Sequence, residues 1–138
     1  MKHRTQRKNR RSSLRRALAA VELAVCLPVL VLLMLGAIES SNMIFLRQAL
    51  VQSAYEAAKL SARPDATAAE AVTRGADVLN ARNISGHTVT LSPSNTESLL
   101  RGTDIVATTT APMDANRLVS FTPFAGRTVT VTMTAVKH

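Results

Sequence analysis

The chain has 138 residues, enough for one small domain with a tail or an anchor but too few for a two-lobed enzyme. Its formal net charge of +8 would ordinarily suggest a nucleic-acid partner. However, residues 1–16 hold eight basic residues and no acidic one, whereas from Ala17 onward nine basic and nine acidic residues cancel. The body of the protein is therefore predicted to have no nucleic-acid partner.

An apolar segment follows the basic tail. Residues 17–38 are 22 residues that are apolar except for Glu22, and Pro28 and Gly36 are the only helix breakers among them. A helix of this length is about 33 Å long, close to the roughly 30 Å thickness of the hydrocarbon core of a bilayer. The segment is predicted to be a transmembrane helix.

Basic residues adjoin only the N-terminal end of this segment. The nearest are Arg10, Arg11, Arg15 and Arg16. By the positive-inside rule they place that end in the cytoplasm, so the rest of the chain is translocated. The predicted organisation is a basic cytoplasmic leader (1–17), one transmembrane helix (18–39) and an extracytoplasmic domain (40–138).

Other targeting signals fit the segment less well. A cleaved secretory signal has a shorter apolar run and a small-x-small site near its end, which residues 36–38 match poorly. A lipoprotein signal needs small residues before Cys26, where Val25 stands. Juxtamembrane charge accounts for the Arg15-Arg16 pair without a twin-arginine signal.

Glu22 is the one ionisable residue inside the apolar segment. A carboxylate near the centre of a membrane helix costs about 2.5–3.5 kcal/mol on insertion scales, and such residues usually mark function. Glu22 also lies only a turn and a half from Arg16, so it could instead reach the interface or pair with the tail. Position alone leaves both interpretations open.

The order of features around Glu22 resembles one family. A basic leader, the run 17–24, Leu27-Pro28, an aliphatic stretch, residues 36–39 and then residues 45–50 are similar to TadE-like pseudopilins of the tight-adherence (Flp) pilus system, and more loosely to type IV prepilins. The resemblance covers residues 15 to about 63. It implies a single-pass protein of the bacterial inner membrane or of a surface appendage, which joins other pilin-like subunits through its N-terminal helix.

The resemblance also implies processing by a membrane prepilin peptidase. In these families the enzyme cuts after a small residue, usually Gly, five residues before the glutamate. Carried over, the cut falls between Ala17 and Leu18, with Ala17 departing from the usual Gly, and Glu22 becomes the fifth residue of the mature chain. Glu22 would then pair with the new amine of a neighbouring subunit and set its register, while Pro28 would kink the helix.

Two helices are predicted next. Residues 42–62 contain no Pro or Gly and place Leu46, Leu50, Ala54 and Ala57 on one face, so the membrane helix is expected to continue to Ala62. Glu39 is interpreted as a boundary residue that needs no special partner. A break at residues 63–65 precedes a second helix over about 66–81, capped by Asp65 or Thr67. Its predicted apolar stripe is Ala68, Val72, Ala76 and Leu79.

The last third of the chain has the pattern of strands. Residues 87–92, 103–110 and 127–136 alternate or are rich in β-branched residues. In the third predicted strand, one face is predicted to be buried against a core and consists of Val129, Val131, Met133 and Ala135. The threonines of this strand are on its other face. Residues 112–126 are predicted to be a core-covering loop with an apolar patch of Leu118, Phe121, Pro123 and Phe124. The predicted fold class is α+β, with a small antiparallel sheet packed on a long pilin-like helix.

Residue patterns of enzymes and metal sites are missing from the sequence. His3, His87 and His138 are far apart, there is a single cysteine, and no phosphate loop or nucleophile elbow occurs. We predict no enzyme activity, no cofactor, no metal and no small-molecule substrate. The leading hypothesis is a pseudopilin or minor pilin; the alternatives are a single-pass anchor that displays a binding or scaffold domain, and a tail that binds DNA or lipid.

Overall fold

The computed structural model describes residues 3–118 and 126–138, and for residues 3–14 it describes the backbone alone. The chain forms two units, Met1–Ile38 and Glu39–His138. The fold is α+β, as predicted. Its elements in chain order are α1 (His3–Ser61), α2 (Ala68–Ala81), β1 (Thr88–Ser92), β2 (Asp104–Pro112), α3 (Met113–Asn116) and β3 (Thr128–Val136).

Helix α1 ends one residue before its predicted end at Ala62. Its helical backbone begins at His3, within the basic leader, because residues 3–16 contain no Pro or Gly that would stop it. Pro28 lies inside the helix without ending it.

One face of α1 enters the core of the second unit. The predicted stripe is confirmed, since Leu46, Leu50, Ala54 and Ala57 are each at most 3% exposed. Small residues dominate this face, which lets the neighbouring elements approach the helix closely. Further buried residues of α1 are Glu39, Ala49, Ser53, Ala58 and Ser61.

Helix α2 packs on α1 along a line that differs from the predicted stripe. The buried residues of α2 are Ala71, Gly75 and Leu79, whereas three members of the predicted stripe are only half-buried: Ala68, Val72 and Ala76. The reason is Gly75, where a Cβ atom would lie 3.1 Å from Ala57 Cβ and 3.2 Å from Ser53 Oγ. The Ser53 hydroxyl donates to the Gly75 carbonyl at 2.7 Å.

A capping box starts α2 at Ala68, with Thr67 as the N-cap. The Glu70 amide donates to the Thr67 hydroxyl at 3.1 Å, and the Thr67 amide donates to the Glu70 carboxylate at 2.9 Å. Of the two predicted caps, Asp65 and Thr67, the structure therefore uses Thr67. Hydrogen bonds from the Thr67 backbone and hydroxyl lower the pKa of Glu70.

This lowered pKa predicts a pH dependence for the domain. A carboxylate with a depressed pKa in the folded state stabilises the fold above its unfolded pKa, and the contribution is lost as the pH falls through the folded pKa. We expect Glu70→Gln to remove part of the acid-induced loss of thermal stability, measured by melting the protein across the acidic pH range. Asp77→Asn, on the same helix but outside the capping box, is the matched control. Equal effects of the two substitutions would contradict the prediction.

The three strands form one antiparallel sheet in the order β1-β2-β3. Thr88 pairs with Thr110 across β1 and β2, and Asp104 pairs with Val136 across β2 and β3. Each strand begins one residue later than predicted, and β2 runs on to Pro112. The inner face of the central strand is fully buried and consists of Ile105, Ala107, Thr109 and Ala111.

The segment predicted as a loop over residues 112–126 is only partly a loop. Pro112 ends β2, and Met113–Asn116 is a short helix whose Met113 is buried in the core. The Asn116 side chain stabilises this turn by donating to the Pro112 carbonyl at 2.8 Å. Leu118 is 69% exposed, and the predicted patch residues Phe121, Pro123 and Phe124 lie outside the described residues.

Lys137 ties the end of β3 to the end of α1. Its side chain is 4% exposed, and Nζ donates to the carbonyls of Ser61 at 3.2 Å and Arg63 at 2.7 Å. The His138 amide donates to the Ala62 carbonyl at 3.0 Å. Carbonyls at the end of a helix have no later helical N–H, so Lys137 acts as a cationic cap.

We expect Lys137→Met to destabilise the domain by about 1.5–3 kcal/mol, the range for hydrogen bonds from a charged donor. The apolar stem is retained while the charged donor is removed. Denaturant unfolding of the domain measures the loss. Lys59→Met, at an exposed lysine on α1 itself, is the control, and a similar loss in both variants would argue against a capping role.

Candidate functional site

The apolar segment of the first unit exposes hydrophobic side chains on every side. Leu18, Leu30 and Val31 are 61%, 59% and 41% exposed, and their positions are spread around the whole helix. Among the described residues, one helix, Arg15–Ser61, is long and apolar enough to cross a membrane. None of its most apolar stretch of 18 residues is buried. A helix that is apolar all round is typical of a membrane span.

The residues of the predicted cleavage site lie on this helix. Ala17, Leu18 and Glu22 are all exposed members of α1. Leu18 and Glu22 are four residues apart and therefore share a face. Among the side chains that are described, no salt bridge joins Glu22 to Arg15 or Arg16. The arrangement leaves the Glu22 carboxylate on the outer surface of the apolar segment, where a second helix has access to it.

The remaining residues proposed for the segment are placed as follows. Arg15 and Arg16 are exposed at its start, whereas Arg10 and Arg11 lie in the part of α1 whose side chains are not described. Pro28 is within the helix, and its proposed kink remains a prediction. The single cysteine, Cys26, is a free, exposed thiol on the same segment.

Glu39 differs from its predicted role as a boundary residue without a special partner. It is 5% exposed within the second unit, and its carboxylate accepts a hydrogen bond from the Leu118 amide at 3.4 Å. One turn later, the Asn42 side chain donates to the Asn116 carbonyl at 2.7 Å. Glu39 and Asn42 therefore bind the segment that follows β2. Their spacing from Leu46, seven and four residues, is the signal that places all three on one face.

The described residues offer no obvious chemistry for catalysis. Within residues 3–118 and 126–138, no group of three or more His, Cys, Asp or Glu side chains could hold a metal ion. His87 Nδ1 lies 2.8 Å from the Ile84 carbonyl oxygen, so the ring is engaged with its own turn. The predicted lack of metal, cofactor and substrate remains a prediction.

A comparison with protein families bears on the apolar segment. Residues 18–59 match the family model described as TadE-like protein. The match confirms the resemblance inferred from residues 15–63, and it covers less than a third of the chain. It runs from the proposed first residue of the mature chain almost to the end of α1. No curated protein and no solved structure matches the chain.

Together, the TadE-like segment and the apolar helix fit a membrane protein related to the Tad pilus.

Proposed function

We propose that this protein is a pseudopilin or minor pilin, anchored in the bacterial inner membrane, that takes part in assembly of a Flp-type pilus. The observation that carries the proposal is the coincidence of two boundaries. The TadE-like match begins at Leu18, and the apolar helix surface begins directly after the paired Arg15-Arg16. A role in assembly rather than catalysis accords with a family related to pili.

The proposed topology has the leader in the cytoplasm and the domain of residues 40–138 outside it. Positive charge holds the leader on the cytoplasmic side, because translocating arginines across a bilayer is unfavourable. The basic cluster that includes Arg10 and Arg11 thus acts in orientation rather than in nucleic-acid binding. The domain outside is the part available to partners in the envelope.

The proposed processing links Ala17, Leu18 and Glu22. A prepilin peptidase would cut the peptide bond between Ala17 and Leu18 and leave an amine at Leu18. The Glu22 carboxylate of a neighbouring subunit would then pair with this amine. In a medium of low dielectric constant, an unpaired carboxylate or amine is costly, so the pair fixes one axial register between helices.

The N-terminal sequence of the protein isolated from membranes of its native host tests this proposal. We expect a chain that begins at Leu18. Ala17→Leu should keep the leader, because a bulky residue replaces the small one before the cut, whereas Ala20→Leu should be processed as usual. A wild-type chain that retains Met1 or Lys2 would overturn the pilin assignment and favour a single-pass anchor that displays a binding domain.

A further inference from the structure

Within residues 3–118 and 126–138, strand β3 leaves one long edge of the sheet unpaired. It spans nine residues and pairs with β2 on one side, and no strand in the described ranges pairs with its other side. Proteins usually protect such an edge with charged residues, proline, a bulge or a short strand. Residues 128–136 contain only Thr, Val, Met and Ala, so the sequence offers none of the chemical protections. The edge is a template for a further strand.

An open groove runs beside the same strand. It lies between β3 and α1, has a volume of about 620 Å³, and its apolar lining includes Ile44, Val51, Tyr55 and Met133. A second groove of about 380 Å³ shares Tyr55 and Met133 and extends to Ala135. The inward-facing residues of β3 are accordingly half-buried, whereas those of β2 are fully buried. The helix layer ends before it covers β3.

Helix α2 occupies the equivalent position on the other side of α1. It contacts α1 through Ser53 and Ala57, and β1 through Val89. Val51 and Tyr55, which line the groove, are each two residues from Ser53, a rotation of about 200° around the helix. A helix placed like α2 would therefore fill the groove if it lay on the opposite side of α1.

The directions of the strands indicate which molecule could supply such a helix. Strands β1 and β3 are both antiparallel to β2, so they are parallel to each other. A second copy displaced sideways along the sheet brings its β1 next to β3, with its α2 over the groove and its α1 running in the same direction. Two β3 edges paired by a dyad normal to the sheet would instead reverse α1 in the second copy, which is unsuited to two chains anchored in one membrane. A dyad along the strands would place the helices of the second copy on the opposite face of the sheet and leave the groove empty.

The charges on the two surfaces are complementary. The grooves are lined by the basic side chains of Arg47 and Lys59, by His138 and by no acidic side chain. The exposed face of α2 carries Glu70 and Asp77, while its Arg74 is engaged with Glu56 of its own chain at 3.5 Å. Opposite charges at such a rim favour one docking orientation over others.

We propose that the open edge of β3 and the adjoining groove bind β1 and α2 of a second copy, which extends the sheet in a head-to-tail manner. The interface is heterologous, because two different surfaces meet, and it can therefore add further copies. The inference rests on the proposed function only in that both copies are taken to share one membrane.

Cross-linking of full-length protein in membranes tests the proposal. Two differently tagged copies are co-expressed with Cys26→Ser, one carrying Thr90→Cys on β1 and the other Thr132→Cys on β3, and are treated with a short thiol cross-linker. Both threonines are exposed on the outer face of the sheet. We expect a product that contains both tags. A product formed only between two Thr132→Cys copies, or no product, would overturn the proposal.

Two further substitutions separate the interface from misfolding. Met133→Lys places a charge in the groove and should abolish the product, whereas Ser98→Lys, at an exposed site in the connection between β1 and β2, should not. Reversal of Arg47 and Lys59 to Glu should also lower the yield, and Asp77→Lys in the other copy should restore it. Loss without restoration would refute the docking of α2, provided that thermal melting shows folded protein. Leader cleavage is measured separately, so failure of the interface and failure of the pilin assignment are distinguishable.

Discussion

Glu22→Gln is expected to yield a protein that is inserted and processed but is absent from pilus-like assemblies. The substitution keeps the shape of the side chain and removes the charge, so under the proposed function the amine at Leu18 of a neighbouring subunit would be left in the membrane without its partner. Breaking a buried ion pair costs about 3–5 kcal/mol. At about 1.4 kcal/mol per tenfold change in an equilibrium constant, incorporation should fall by roughly a hundredfold or more.

The measurement is the fraction of variant recovered in sheared or purified assemblies relative to the membrane pool. N-terminal sequencing of the membrane pool confirms that processing is intact, so a loss of incorporation is not mistaken for a loss of cleavage. Glu22→Asp keeps the charge and should retain part of the incorporation. Glu97→Gln, at an exposed carboxylate of the domain, is the neutral control. Incorporation of Glu22→Gln at the wild-type level would rule out the register role.

Leu50→Ala is expected to cause the largest loss of stability in the domain. Leu50 is fully buried at the centre of the α1 face, and its carbonyl accepts a hydrogen bond from the buried Thr109 hydroxyl at 3.0 Å. A buried Leu→Ala change costs about 2–5 kcal/mol, because the cavity adds to the lost transfer free energy. Against a total of about 5–15 kcal/mol for a typical domain, this loss leaves a substantial unfolded population.

Pulse proteolysis in denaturant measures this change in the folded domain. Ile44→Ala is the matched control, since Ile44 lies on the same helix but is 59% exposed. The control should lose well under 1 kcal/mol, as is usual for surface substitutions. Similar losses at the two positions would mean that the Leu50 face of α1 does not form the core.

Periodicity predicted the elements of the fold because each has one buried and one exposed face. The stripe of α1 from Leu46 to Ala57 and the alternation in β3 are signals of this kind, and both are present in the structure. In α2 the prediction was right for Leu79 but missed Ala71 and Gly75, and Gly75 has no side chain to register as apolar. The burial of Gly75 depends on how closely α1 and β1 approach it. The residue pattern of α2 alone does not indicate this distance.

The sequence pattern also did not predict the long-range polar contacts. Spacing puts Glu39 and Lys137 on the core-facing sides of α1 and of the β3 segment, but their charge assigns them to the surface. Both are nevertheless buried, with hydrogen-bond partners far away in sequence. For the candidate site, the sequence was informative, whereas the structure of a single chain does not contain the proposed contacts. The order of residues around Glu22 was sufficient to indicate the family, but the proposed partners of Glu22 belong to other molecules. The pairing therefore stays a prediction.

The cap on α1 has a consequence for the order in which the domain is completed. The side chain that donates to the Ser61 carbonyl belongs to Lys137, which is 76 residues later in the chain. Until Lys137 emerges and β3 joins β2, the end of α1 remains uncapped and one side of the central strand remains unpaired. Contacts of such high sequence separation close late, because the loop between them must be ordered first. A nascent chain paused before residue 128 is therefore expected to be a substrate for proteases and chaperones.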